Sequence, residues 1–171
     1  LFETISETND SNDTSKFVKD HVISTIANLT SMTGIITDKI VSVDRFLEDI
    51  IDLIDESSFE TKFYICVIFS NLLFESSQYF DSIMSRINII EKLKPLIWST
   101  IPSLHREVCK IFTNILMNVE DEESGSLISI ELKEEGIIES LSMILSDFTN
   151  TDFDDKSYIF ELSEALNHFI F

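Results

Sequence analysis

The side chains with the chemistry to be catalytic are few, and their spacing argues against catalysis. His21, His105 and His168 are scattered, the first two each opening a long helical pattern. None stands at a ligand spacing from Cys66 or Cys109, as a zinc site would need. The acidic stretch Glu120-Asp-Glu-Glu-Ser-Gly125 lacks the alternating carboxylates of a calcium loop, and Asp152-Phe-Asp-Asp155 reads as a cap for the last helix. Three glycines are too few for a loop that cradles phosphate. With no nucleophile beside a base and no carboxylate pair, the sequence predicts no enzyme, no catalytic residue, no metal and no cofactor.

What recurs instead is an asparagine. Cys66-Val-Ile-Phe-Ser-Asn-Leu-Leu73 returns 43 residues later as Cys109-Lys-Ile-Phe-Thr-Asn-Ile-Leu116 and has a counterpart 43 residues earlier, Ile23-Ser-Thr-Ile-Ala-Asn-Leu-Thr30. Leu162-Ser-Glu-Ala-Leu-Asn-His-Phe169 is a looser fourth copy, so Asn28, Asn71, Asn114 and Asn167 fall in register. A period of this length is the signature of stacked repeats. Positions −6, −5, −2 and +1 from each Asn are apolar in the first three copies, which is one face of a helix. Position −1 is the small Ala27, Ser70 or Thr113, which would let neighbouring helices approach closely. Cys66 and Cys109 share a position with Ile23 and Leu162 and are expected to be core hydrophobes.

These helices need two more per unit to complete the period. Long helices are expected at about 15–31, 59–75, 102–118 and 155–171, the first capped by Ser15 and the third opened by Pro102. Gly34 should lie at or just past the end of the first. Between them come shorter helical patterns at 37–43, from Asp44 through Ile54, and at 77–86. Arg45-Phe-Leu-Glu-Asp-Ile50, Asn88-Ile-Ile-Glu-Lys-Leu93 and Gly136-Ile-Ile-Glu-Ser-Leu141 then match position for position. Pro95 should kink its helix without ending it, and Trp98 beyond it is expected in the core. Loops at 120–125 and 147–155 each carry about five surplus residues, which accounts for the longer spacing before Asn167.

Composition sets limits of its own. Hydrophobic residues make up 44% of 171, with 14 Phe, so the chain folds. No apolar run approaches the ~18 residues of a membrane span, and no signal segment opens the chain. Two cysteines without such a signal point to a reducing, intracellular compartment, cytoplasmic or nuclear. The sequons at Asn12 and Asn28 would then never be glycosylated. A net charge of −19 repels nucleic acid and anionic membrane, and it favours a basic partner if it favours any. Residues 1–14 read as a polar, acidic lead-in, and residues 15–171 as one repeat domain cut from a longer protein.

Three helices per unit, with a small residue, Asn and then Leu or Ile on the third, resemble the armadillo repeat. The resemblance covers nearly the whole chain and is nearest to the last repeats of importin-α-like adaptors, where an acidic, elongated loop also precedes the terminal repeat. It implies an all-α, right-handed helical solenoid of armadillo (ARM/HEAT-like) repeats. It also implies a concave groove in which the asparagines pair with the backbone of an extended peptide, since each carboxamide both donates and accepts. The groove residues it implies are Ser24, Asn28, Val67, Ser70, Asn71, Lys110, Asn114, Ser163 and Asn167. In the adaptors a Trp four residues before each Asn makes slots for Lys or Arg. Here those positions are Ser24, Val67, Lys110 and Ser163.

The expected work is therefore non-catalytic: a scaffold that binds a protein or extended peptide along the groove. A nuclear transport adaptor for basic peptides and a structural or chaperone subunit of a larger complex are the alternatives. Direct nucleic-acid binding and membrane insertion are not expected, and oligomeric state is left open. Equally open is whether the asparagines meet a partner or hold neighbouring repeats together.

Overall fold

A computed structural model describes residues 13–32, 34–74, 77–119, 124–149 and 156–170. Among these the chain is helical throughout, without a strand. The helices are α1 (Asp13–Thr30), α2 (Ile35–Val41), α3 (Phe46–Glu56), α4 (Phe59–Phe74), α5 (Ser77–Arg86) and α6 (Ile89–Leu93). They continue with a 3₁₀ turn (Lys94–Leu96), α7 (Pro102–Asn118), α8 (Ser124–Glu134), α9 (Ile137–Thr149) and α10 (Lys156–Ile170). The lead-in before Asp13, the acidic residues 120–123 and the stretch 150–155 lie outside the described residues.

The repeat reads directly as packing. Helices α1, α4, α7 and α10 carry the asparagines and stack in that order, each against the next. Five residues before each Asn, Ile23, Cys66, Cys109 and Leu162 are all fully buried. Two residues before it, Ile26, Phe69, Phe112 and Ala165 are buried as well. One row of apolar side chains therefore runs through every helix-to-helix seam, so each unit covers its neighbour and contributes little beyond it. The two cysteines are free, and burial pushes the Cys66 thiol well above its ordinary pKa, so it stays a neutral packing group.

Short first helices (α2, α5, α8) and second helices (α3, α6, α9) cover the other side of this row. Their junctions need unusual backbone. Gly136 turns α8 into α9 at φ 68°, and Arg45 stands at the same repeat position before α3 at φ 56°. Glycine takes that left-handed region freely, whereas a residue with a Cβ is strained there. Gly34, at φ 98°, makes the corresponding turn from α1 into α2. Outside, the units are tied by polar contacts. Arg86 grips Glu48 with two bonds of 3.0 and 3.1 Å, Lys92 pairs with Asp55, and Lys94 pairs with Glu135 at 2.7 Å.

Three local expectations are corrected. The first helix begins at Asp13, so Ser15 lies within it and does not cap it. Pro95 ends its helix. Its ring displaces the carbonyl four residues back and it has no N–H to offer, so α6 stops at Leu93 and the chain tightens into the 3₁₀ turn. That change of winding places Ile97 in the core and leaves Trp98, one residue further, 51% exposed. By contrast Pro102 opens α7 as expected, where its missing N–H costs nothing.

Candidate protein-binding face

The candidate face is the side of α1, α4, α7 and α10 turned away from the buried row. On α4 it runs through Phe63, Val67, Asn71 and Phe74, and on α7 through Arg106, Lys110, Asn114 and Met117. Residues three or four apart on a helix lie one above the other, which makes each set a single stripe. Ser24 and Asn28 form the equivalent stripe on α1, and Ser163 and Asn167 that on α10. The nine residues predicted for the groove thus share this side, with one exception. Ser70 is buried in the seam, and only its carbonyl oxygen takes part, by accepting a bond from Asn114.

The asparagines do not all stand free. Asn71 donates from Nδ2 to the carbonyl oxygen of Ala27 (3.2 Å) and to Oγ1 of Thr30 (3.3 Å) on the preceding helix. Asn114 donates to the carbonyl oxygen of Ser70 at 3.1 Å. Both bonds span 44 residues, so they are the same bond one repeat apart. Asn118 adds a second tie on α7, to the carbonyl oxygen of Leu73 at 3.0 Å. The inner asparagines therefore hold the stack, and the acceptor oxygen of each carboxamide is what remains to meet a partner's N–H. Asn28 and Asn167, at the two ends of the row, are exposed.

Around the asparagines the face is apolar and close to neutral. Phe74 is 65% exposed, Met117 is exposed at the same position of α7, and Met32 is exposed just past the end of α1. Val67 is half-buried and rests on the core. Lys110 is paired with Glu107 at 3.0 Å, and the Glu107 side chain is largely enclosed. Across α4 and α7 the charges are Lys62, Arg106 and Lys110 against Glu60 and Glu107. Helix α3 alone carries Glu48, Asp49, Asp52, Asp55 and Glu56 and no basic residue. Among the described residues, α3 is thus strongly acidic, whereas α4 and α7 are close to neutral.

Where Cys and His meet among the described residues, the contact is structural. His105 holds the carbonyl oxygen of Ile97 through Nδ1 at 2.6 Å, and its Nε2 stands 3.8 Å from Sγ of Cys109. Cys109 is fully buried, so the pair fastens the entry of α7 and cannot reach a substrate. Among the described residues no group of three or more His, Cys, Asp or Glu could hold a metal ion, and no helix is long and apolar enough to cross a membrane.

Several residues of this face were not singled out by the repeat. Phe63, Phe74, Arg106 and Met117 sit at −8 and +3 from Asn, and continuing the helical stripe past the repeated octet would have found them. Asn118 has no counterpart in the other copies, so no periodic signal pointed to it.

Stacked three-helix units with a row of asparagines on the third helices define an armadillo-type repeat solenoid, and known structures bear this out. A computationally designed armadillo repeat protein for modular peptide recognition matches with a TM-score of 0.72 at 14% identity, over 98% of this chain and 63% of that one. A second designed armadillo repeat protein gives a TM-score of 0.74 at 14% identity, over 99% and 64%. An engineered protein from a structural genomics consortium gives 0.68 at 14% identity, over 98% and 62%. The chain spans a little under two thirds of the length of these proteins. No protein-family model matches it, and no curated protein is similar to it in sequence. The likeness is one of fold.

Proposed function

We propose that the chain, as one armadillo-repeat domain over residues 15–171, is a non-catalytic interaction scaffold that holds an extended segment of a protein partner across its third helices. The observation that carries this reading is the continuous stripe beside the asparagines, with Phe74 and Met117 exposed next to Asn71 and Asn114. Peptide recognition by a designed protein of the same fold supports it. An apolar strip in register with amide groups suits an extended peptide, whose backbone supplies the hydrogen bonds and whose side chains supply buried area. A transport adaptor for basic peptides fits less well. Its aromatic slots four residues before Asn are replaced by Ser24, Val67, Lys110 and Ser163, and Lys110 repels a basic side chain.

Display of a random nine-residue library on the folded chain tests the proposal. Peptides should be selected whose affinity falls at least tenfold on Val67→Glu, a change at a half-buried side chain of the stripe that makes none of the asparagine ties. Binding that is indifferent to Val67→Glu but lost on Asp52→Lys, on the covering helices, would place the contact elsewhere and overturn it. Circular dichroism on each variant confirms that the fold is kept.

A further inference from the structure

We infer that the chain associates with itself head to tail, the α1–α2 end of one copy seating on the α8–α10 end of another as one repeat seats on the next. This association does not involve the groove. Inside the chain, α4 and α5 reach back to α1 and α2 through three polar ties. The Thr61 hydroxyl donates to Asp20, and Asn71 donates to the carbonyl oxygen of Ala27. Gln78, at 2.6 Å, and Tyr79 both donate to Asp38. One period of 43 residues earlier the same four positions are Val18, Asn28, Ile35 and Ile36. All four are exposed, Ile35 by 73%. The first unit thus presents the half of a seam that reaches back, with the amide kept and the other donors exchanged for apolar side chains.

The opposite end carries the matching half. In the inner seam the acceptors are Asp20, eight residues before Asn28, the carbonyl oxygen of Ala27, and Asp38, seven residues before Arg45. The same steps counted from Asn167 and Gly136 lead to Ile159, the carbonyl oxygen of Leu166, and Ser129. Ile stands for Asp where Val stands for Thr, and an uncharged Ser stands for Asp where Ile stands for Gln and Tyr. A carboxylate covered by Val or Ile would lose its hydration with no donor in return, so the exchange at one end suits the exchange at the other. A solenoid end that faces water needs a polar outer face, and Val18, Ile35 and Ile36 do not make one. The two halves differ, so the contact is heterologous, and each contact leaves one head and one tail free for further growth. Each copy carries a net charge of −19, which opposes the approach. Salt should therefore favour assembly, since the screening length falls from about 30 Å at 0.01 M to about 10 Å at 0.1 M.

Sedimentation of the whole chain should show a mass that rises with concentration past the dimer, at lower concentration as salt is raised. Val18→Glu with Ile35→Glu, both at exposed sites, blocks the head, and Ile159→Glu blocks the tail. Ser129→Glu is a second tail variant should Ile159→Glu disturb the fold, which circular dichroism checks. Each blocked copy alone should remain monomeric at concentrations about tenfold above those at which the native chain assembles, because the new carboxylate would be buried without a partner. Mixed, head-blocked and tail-blocked copies should form a dimer that grows no further, since one free head then meets one free tail. A native chain that stays monomeric, assembly indifferent to the head variant, or a mixture that stays monomeric overturns the inference. A tail-blocked copy that still dimerises alone assigns the contact to two heads and overturns it as well.

Discussion

The seam between α4 and α7 and the seam between α7 and α10 use the same rows of the repeat and are finished differently. At the first, Phe69 and Phe112 meet across a buried row, Asn114 bonds the carbonyl oxygen of Ser70, and Asn118 bonds that of Leu73. At the second, α10 brings Ala165 where α4 and α7 carry Phe, Asn167 is exposed, and the buried hydroxyl of Thr113 has no partner among the described residues. An apolar row is enough to seat one helix on another, because burial has no direction. An amide reaching a particular carbonyl fixes how far the helix slides along its neighbour. The comparison thus separates what holds a repeat in place from what sets its register, and it implies that the last seam is the looser one.

The largest effect is expected from the apolar row. Phe112→Ala empties a fully buried aromatic site between the two seams and should cost about 3–5 kcal/mol in urea unfolding. Because stability in a stacked chain is carried by neighbouring interfaces, amide exchange should then rise first in α10. Faster exchange in α4 than in α10 would break the proposed order of the seams.

The asparagines come next. Asn114→Ala and Asn71→Ala each delete a bond that ties one third helix to the next, at about 1 kcal/mol. Asn28→Ala and Asn167→Ala, at exposed sites, should stay within about 0.5 kcal/mol. Four equal losses would mean that the end asparagines are tied as the inner ones are. Thr113→Val sharpens the same contrast with the opposite sign. It removes an unpartnered hydroxyl without changing shape and should gain about 1 kcal/mol in thermal unfolding. Thr61→Val, by the same measurement, should lose a similar amount, because the Thr61 hydroxyl is engaged with Asp20 across the α1–α4 seam and with Ser58 at the head of its own helix.

Much of this was legible in the sequence, and what was missed has physical causes. The row through Ile23, Cys66, Cys109 and Leu162 needs only a period and a hydropathy, and both are properties of single residues. The role of Asn71 and Asn114 needs a partner, and that partner is a backbone carbonyl, which every residue has and no pattern reveals. Trp98 was misplaced because a side chain's direction depends on the winding before it, and Pro95 changes that winding. The charge was read as one number. That α3 carries five carboxylates while α4 and α7 are close to neutral appears only when the helices are assigned to sides of the stack.

The smallest effect tests whether the outer side of the stack repeats the contrast of the seams. Glu48 is held below the usual carboxylate range first by the backbone N–H in the opening turn of α3 and then by the Arg86 guanidinium. A carboxylate whose pKa is lowered by folding stabilises the fold above its ordinary pKa, and that contribution is lost as pH falls through the lowered value. Both partners are partly exposed, with side chains 37% and 28% accessible, so solvent screening keeps the bond to about 0.5 kcal/mol. Glu48→Gln should therefore lower stability by about that much at pH 7, and the loss should shrink as pH falls below the ordinary carboxylate range. A loss that does not shrink with falling pH would assign Glu48 to packing. One that vanishes in 1 M salt at pH 7 would confirm that the outer ties are electrostatic and subordinate to the buried row.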